Sequence, residues 1–323
     1  MPNHPRIECE NLTNLTTIRS RNCEIWFTQN QELEQSILGN LAKFQARYGV
    51  TLYAFALEGT HKHEVARFAG SSRGAFFRDF NSSVTRSVQR FCTEFPGGNL
   101  WGGRYSNVFI SRDEDIEEEF FYTVLQPVQD GLVENIDEYP GYNCFYDAIH
   151  GVEREFKVVD WALYNSHKRW KKSIDIANYV TTFRLKYSRL PGYEALSQAK
   201  YVAVMKRKLK LRTAEIVKKR LAEGKTFLGR QRLLQTLPGS RAKNPKKTTR
   251  WGFRPRIICG CKTTAALMLK WYFSTLAAHH AASYEYRIEG KSEAKFPPGT
   301  YRPPDFTCAY EFSHEDAQAA AAA

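Results

Sequence analysis

The chain has 323 residues, 42% of them hydrophobic, which is enough for two folded units, and it carries a formal net charge of +13. Residues 1–150 hold 13 Lys+Arg against 20 Asp+Glu, a net of −7, while residues 151–323 hold the remaining 34 against 14, a net of +20. So basic a half points to a polyanion, most simply nucleic acid; no window approaches the roughly 18 uncharged apolar residues of a membrane helix, and no apolar run of an export signal is expected at the start.

In chain order, Cys23-Glu-Ile-Trp-Phe-Thr28 reads as a first strand. After Asn30, the residues Leu33, Ile37, Leu38, Leu41 and Phe44 recur at helical spacing, and Gly49 closes that helix. Residues 50–57 are rich in β-branched and aromatic side chains and predict a strand; Glu58-Gly59-Thr60 predicts a bend, and the sheet continues to Phe68. A longer helix is expected over residues 72–95, with Phe77, Phe80, Val84, Val88 and Phe91 as its core stripe and Arg73, Arg78, Arg86 and Arg90 over the rest, either as ordinary surface residues or, for those nearest the histidines, as contacts to phosphates. The turn-rich Pro96-Gly-Gly-Asn-Leu-Trp-Gly-Gly103 precedes an alternating strand at residues 104–110, and the acidic run 113–119 opens the next helix, where the dipole favours negative charge. The order β-α-β-β-α-β-α implies an α+β fold: a ferredoxin-like antiparallel sheet with helices on one face, followed by a basic, mainly helical C-terminal region.

Two histidines stand out. In a strand, positions i and i+2 share a face, so His61 and His63 project together and Lys62 points the other way. That spacing brings two imidazole nitrogens within reach of one divalent metal ion. Residues 120–132 read as a helix with Tyr122 and Gln126 at i and i+4, so that one helix could present a nucleophile and a third ligand.

The basic half has a different texture. Trp161-Ala-Leu-Tyr-Asn-Ser-His-Lys-Arg-Trp-Lys-Lys172 and Tyr201-Val-Ala-Val-Met-Lys-Arg-Lys-Leu-Lys-Leu-Arg212 mix apolar positions with dense positive charge, as helices do that pack on one side and face phosphate on the other. Residues 239–250 predict a basic loop, residues 254–259 a strand, and residues 264–282 a helix with His279 and His280 on its surface, while the last six residues should fray. The seven cysteines, an odd number with no Cys-x-x-Cys pair, imply a reducing cytosol, with Cys259 and Cys261 as buried free thiols.

Several of these motifs together resemble a known family. The strand through His61 and His63, Trp101-Gly-Gly-Arg-Tyr105, Tyr122-Thr-Val-Leu-Gln-Pro-Val-Gln-Asp-Gly-Leu-Val133 and Asp137-Glu-Tyr-Pro140 are similar, in order and spacing, to motifs of the single-tyrosine HUH transposases in their REP-associated branch. The resemblance covers roughly residues 20–150. It implies a nuclease domain over residues 1–150 and a basic DNA-binding region over residues 151–323. It further implies that His61, His63 and Gln126 hold Mg²⁺ or Mn²⁺, and that Tyr122 attacks a phosphate of single-stranded or hairpin DNA to give a 5′-phosphotyrosine. The expected protein is a monomer or homodimer, cytoplasmic and nucleoid-associated. The alternatives are a non-catalytic DNA-binding derivative of such a transposase and an RNA-binding module built on the same sheet.

Lys62 departs from that pattern, standing where a bulky hydrophobic residue is usual. The expectation is that the sheet is open behind it, with Glu58 and Glu64 at i−4 and i+2 on its own face.

Overall fold

The computed structural model describes residues 6–28, 30–171, 173–241 and 256–302. Threonine-rich Thr13–Arg19, paired with a neighbouring strand on each edge, is the first strand (β1), and residues 23–28, expected to hold that place, instead form an irregular segment. Asn22 and Cys23 adopt left-handed φ of 56° and 54°, which breaks any extended run there. The segment still buries Trp26 and Phe27, so its apolar content reports packing and not pairing.

Helix α1 (Gln31–Tyr48) starts where the Asn30 side chain accepts the Leu33 N–H at 2.8 Å, and it ends at Gly49, whose φ of 59° suits glycine. Strands β2 (Thr51–Glu58) and β3 (His61–Arg67) form a hairpin, α2 spans Arg73–Phe91, and β4 spans Ser106–Ile110. With β7 (Ile257–Ile258) they build a five-stranded sheet of order β2-β3-β1-β4-β7, antiparallel except for the β4–β7 pair. The order β-α-β-β-α-β-α stands, completed by α3 (Asp113–Val124). Helices α1 and α2 layer on one face, where Phe44, Phe55 and Phe80 meet with ring centroids 6.3–6.4 Å apart. Each fully buried aromatic side chain of this kind contributes roughly 1.5–3 kcal/mol. Helix α3 lies against the opposite face. Arg73, expected on the surface of α2, is buried and donates to Asn14 Oδ1 at 2.7 Å.

Beyond α4 (Gln126–Gln129) and α5 (Phe145–His150), strands β5 (Arg154–Val159) and β6 (Val180–Leu185) pair as a separate two-stranded sheet, with α6 (Trp161–Lys168) between them. This sheet packs on α1 at Gly39, where an added Cβ would sit 3.1 Å from Val158 Cγ2 and 3.3 Å from Phe156 Cβ. Phe156 and Leu185 of this sheet share the core with the segment before residue 150. Helices α7 (Gln198–Ala222), α8 (Arg230–Leu234) and α9 (Lys262–Arg287) give the C-terminal region its helical character. Residues 9–271 form one unit, and residues 6–8 with 272–302 a second. Within the second, Glu8 N–H donates to Gly299 O at 2.8 Å, and His279 is buried with its ring 5.3 Å from Phe296, not on the surface as expected. Cys259 and Cys261 are free and half-buried, Cys92 and Cys144 are free and buried, and most of the expected basic loop lies outside the described residues.

The expected open sheet behind Lys62 is not found. Lys62 is 0% exposed, its ammonium 4.5 Å from the Phe80 ring centroid and 5.1 Å from that of Phe77. It forms an ion pair with Glu64, whose other oxygen accepts the Thr16 hydroxyl at 2.7 Å. Burial lowers the Lys62 pKa, and Glu64 pulls it back up. Glu58 belongs to the other face: the chain reverses at residues 59–60, so Glu58 is the cross-strand partner of His61.

Removing one member of such a pair leaves a buried charge without compensation, at about 3–5 kcal/mol, whereas replacing both with apolar side chains is often neutral. Lys62→Met should therefore destabilise the protein by about that amount in denaturant unfolding, and Lys62→Met with Glu64→Met should regain most of it. A double variant as unstable as the single one would mean that shape, not charge, governs the position.

Candidate functional site

The two-residue period of β3 does what the sequence implies. The rings of His61 and His63 lie on one face with centroids 4.8 Å apart and planes at 73°, and they are 3% and 4% exposed. Each Nδ1 meets a hydroxyl: Thr60 Oγ1 lies 2.9 Å from that of His61, and Thr17 Oγ1 lies 3.0 Å from that of His63. Thr17 is in place because β1 pairs with β3 in the register Thr17↔His63. Held in this way, each ring has its Nε2 on the side away from the threonine.

Helix α3 supplies the tyrosine. Its buried stripe includes Phe120 and Phe121, whereas Tyr122 is 39% exposed and its ring centroid lies 5.8 Å from that of His63, at 83°. The single helix expected over residues 120–132 is in fact two. Helix α3 stops at Val124, Leu125 leaves the helical region with φ −93° and ψ 4°, and α4 begins at Gln126. Pro127 accounts for the break, because it offers no N–H and its ring crowds the preceding turn. Gln126 is buried on α4 and donates to Gln129 Oε1 at 3.4 Å, so it and Tyr122 do not sit one turn apart on a continuous helix.

Two further groups come to the site that sequence reasoning left out. Glu58, His61 and Asp130 each offer a ligand atom, all within 4.8 Å of one another, and Glu58 Oε2 is 3.7 Å from His61 Nε2. Glu58 arrives through the tight hairpin. Asp130 is placed by the turn after α4, where its N–H donates to Gln126 O at 2.8 Å. The turn needs Gly131, at φ 76°, because a Cβ there would fall 1.8 Å from the Arg220 guanidinium, which itself donates to Gln129 O at 2.8 Å. Two carboxylates held close in a mostly buried site repel unless a cation or proton lies between them. Two oxygen donors with one imidazole suit Mg²⁺ or Mn²⁺.

The acidic start of α3 does more than favour the helix dipole. Lys208 of α7 bonds Glu117 Oε1 at 2.6 Å and Tyr193 Oη at 2.6 Å. Arg212 holds both oxygens of Glu118, one at 2.7 Å, and its guanidinium lies 4.6 Å from the Phe121 ring centroid. The Arg212 hydrogen bonds lower the Glu118 pKa. Part of the basic C-terminal charge thus grips the helix that carries Tyr122.

Among solved structures, the chain is similar to a REP-associated tyrosine transposase bound to a REP hairpin, with 19% identity and a TM-score of 0.38 over 45% of this chain and 84% of that one. It is also similar to a Deinococcus radiodurans protein described as a transposase, with 17% identity and a TM-score of 0.24 over 34% of this chain and 88% of that one. No family model and no curated protein matches the chain.

Burial, reinforced by Glu118 and Asp115, raises the Glu119 carboxyl on α3 to about 7. Its folded pKa lies above the ordinary 4.5, so the stability linked to its proton is full below about pH 4.5 and is lost as the pH rises through about 7. Glu119→Gln should remove that dependence. In urea unfolding, the stability of the wild type relative to this variant should fall between about pH 5 and pH 7.5, by no more than about 3 kcal/mol. A difference that is flat across this window would show that the carboxyl titrates normally.

Proposed function

We propose that this chain is a metal-dependent enzyme that nicks and rejoins single-stranded or hairpin DNA through a 5′-phosphotyrosine on Tyr122. The observation that carries the reading is the exposed Tyr122 phenol set beside a buried histidine pair, with Glu58 and Asp130 close to His61. The reading is supported as well by the motif order that first suggested it. His61 and His63 would hold the metal with Gln126 as the resemblance implies, and the geometry adds Glu58 and Asp130 to the donor set. Bound there, Mg²⁺ or Mn²⁺ would supply Lewis acidity to a non-bridging phosphate oxygen.

The protein's own residues do the rest. Thr17 and Thr60 accept from the Nδ1–H of the histidines in the tautomer that leaves a lone pair on each Nε2. Tyr122 forms a new bond from Oη to phosphorus, the bond from phosphorus to the 3′ oxygen breaks, and the phenolic proton ends on the released 3′-hydroxyl. That 3′-hydroxyl, or another, reverses the step. The exposure of Tyr122 gives a strand access to its oxygen, and the buried neighbours Phe120 and Phe121 keep its helix from turning. The basic side chains of residues 151–323 that do not pair with α3 would hold the flanking DNA.

Labelled hairpin DNA incubated with Mn²⁺ should give a protein–DNA adduct that survives denaturing electrophoresis. Tyr122→Phe should abolish the adduct and leave affinity within about twofold, because only the phenolic oxygen is lost. An adduct of undiminished yield in that variant would remove Tyr122 from the role, and binding by the wild type with no adduct under any metal would identify a DNA-binding protein without cleavage.

Metal binding can be read without DNA. Glu58→Gln, His61→Ala and Asp130→Asn should each weaken Mn²⁺ binding in calorimetry by tenfold or more, about 1.4 kcal/mol. Unaltered binding in all three would place the metal elsewhere.

A further inference from the structure

On the side of α1 and α2 away from the sheet, a cleft of about 900 Å³ opens between these helices and the β5–α6 segment. Its lining is polar and apolar in about equal measure. Its floor includes Ser36, Ser87 and Asn40, which bond to one another, with Ser36 Oγ and Ser87 Oγ 2.8 Å apart. Around it stand Lys43 from α1, Arg86 and Arg90 from α2, and Lys157 from β5. Among the described residues, none of these four cations is ion-paired with a carboxylate. The two acids on the rim are engaged elsewhere: Glu155 pairs with Arg184 at 2.8 Å, and Asp160 caps α6 by accepting the Leu163 N–H at 3.0 Å. Arg86 and Arg90 lie one turn apart, and like charges so placed destabilise a helix unless an anion answers them. Trp161 adds an aromatic face, with the Arg90 guanidinium 3.2 Å from its ring centroid.

Unanswered cations, a floor of hydroxyls and amides, and one aromatic ring are the parts from which single-stranded nucleic-acid grooves are made: charge follows the backbone, and an aromatic face or a guanidinium plane takes a base. We propose that this cleft is a second DNA-binding site, which holds single-stranded DNA flanking the segment processed at Tyr122. It rests on the proposed nuclease reading only for the identity of the strand. Lys43, Arg86 and Lys157 meet phosphates. Trp161 stacks a base, and Arg90, already seated on its ring, backs that stack. The site owes nothing to the long basic helix α7. It is assembled where the β5–β6 sheet lies against α1, so it exists only because Gly39 lets β5 come close.

The test uses the full chain and the anisotropy of a labelled single-stranded oligonucleotide over a salt series. Lys43→Gln, Arg86→Gln and Lys157→Gln combined should lower affinity at least tenfold at about 0.1 M salt and flatten the salt slope by about 2, at roughly 0.7 for each phosphate contact. Trp161→Ala should lower affinity by about fivefold or more without altering the slope. Unchanged affinity and slope in both variants would overturn the proposal. To avoid reliance on variants, the wild type is irradiated with 5-bromodeoxyuridine-substituted DNA: a crosslinked peptide containing Trp161 or Phe91 supports the cleft, and crosslinks confined to other regions overturn it. Adduct formation at saturating DNA separates the two readings. A wild type that forms no adduct but keeps the cleft effects loses the Tyr122 chemistry alone, and one that forms the adduct without cleft effects loses the cleft alone.

Discussion

Strand β3 is bonded on both edges, to β2 and to β1, and its side chains alternate between two incompatible surroundings. On one face stand His61 and His63; on the other, Lys62 and Glu64 neutralise each other under the α2 aromatics. Register is therefore fixed with unusual force, because a slip by one residue would move two charges to the histidine face and two imidazoles into the phenylalanines. The same register sets Thr17 beside His63 and Glu58 beside His61. What surrounds the imidazoles is thus decided by how one strand is paired.

The second constraint acts between the halves of the sequence. Helix α7 is strongly basic, yet Lys208, Arg212 and Arg220 turn inward to Glu117, Glu118 and the Gln129 carbonyl. These contacts tie down both pieces of the broken helix, the one with Tyr122 and the one that leads to Asp130. The opposite net charges of the two halves are partly an internal match between α3 and α7. Ion pairs of this half-exposed kind are each worth little, on the order of 1 kcal/mol or less, but here they come with hydrogen bonds and a ring contact on one helix. The charge asymmetry alone overstates how much of the basic surface is available to DNA.

Much of this was legible in the sequence. Periodicity located α1, β2, β3, α2, β4 and the start of α3, because each presents a clear apolar face to the core. The shared face of His61 and His63 followed from strand geometry alone. What failed was whatever depended on contacts distant in sequence. The threonine-rich run 13–19 was not read as a strand and Cys23-Glu-Ile-Trp-Phe-Thr28 was, because it is the pairing of β1 on both edges, distant in sequence, that makes it one. Lys62 was placed at an opening because no local pattern shows that Phe77, Phe80 and Trp101 converge on it. Pro127 disfavours a continuous helix over residues 120–132, but whether a helix kinks or stops there is settled by its packing. Glu58 and Asp130 carried no pattern of their own, since a carboxylate acquires its meaning from what the fold sets opposite it.

The placement of Asp130 has a mechanical side. Glu58 and His61 belong to a hairpin, whereas Asp130 follows α4 after a long intervening stretch of chain that includes α2, β4 and α3. A cation gripped by all three would act as a removable crosslink that closes this loop, and the entropy it took from the unfolded chain would appear as added resistance to unfolding. The helix bearing Tyr122 lies inside the loop so closed. Loading the ion would then draw in the slack around the nucleophile, so that readiness for chemistry and rigidity of the scaffold would rise and fall together.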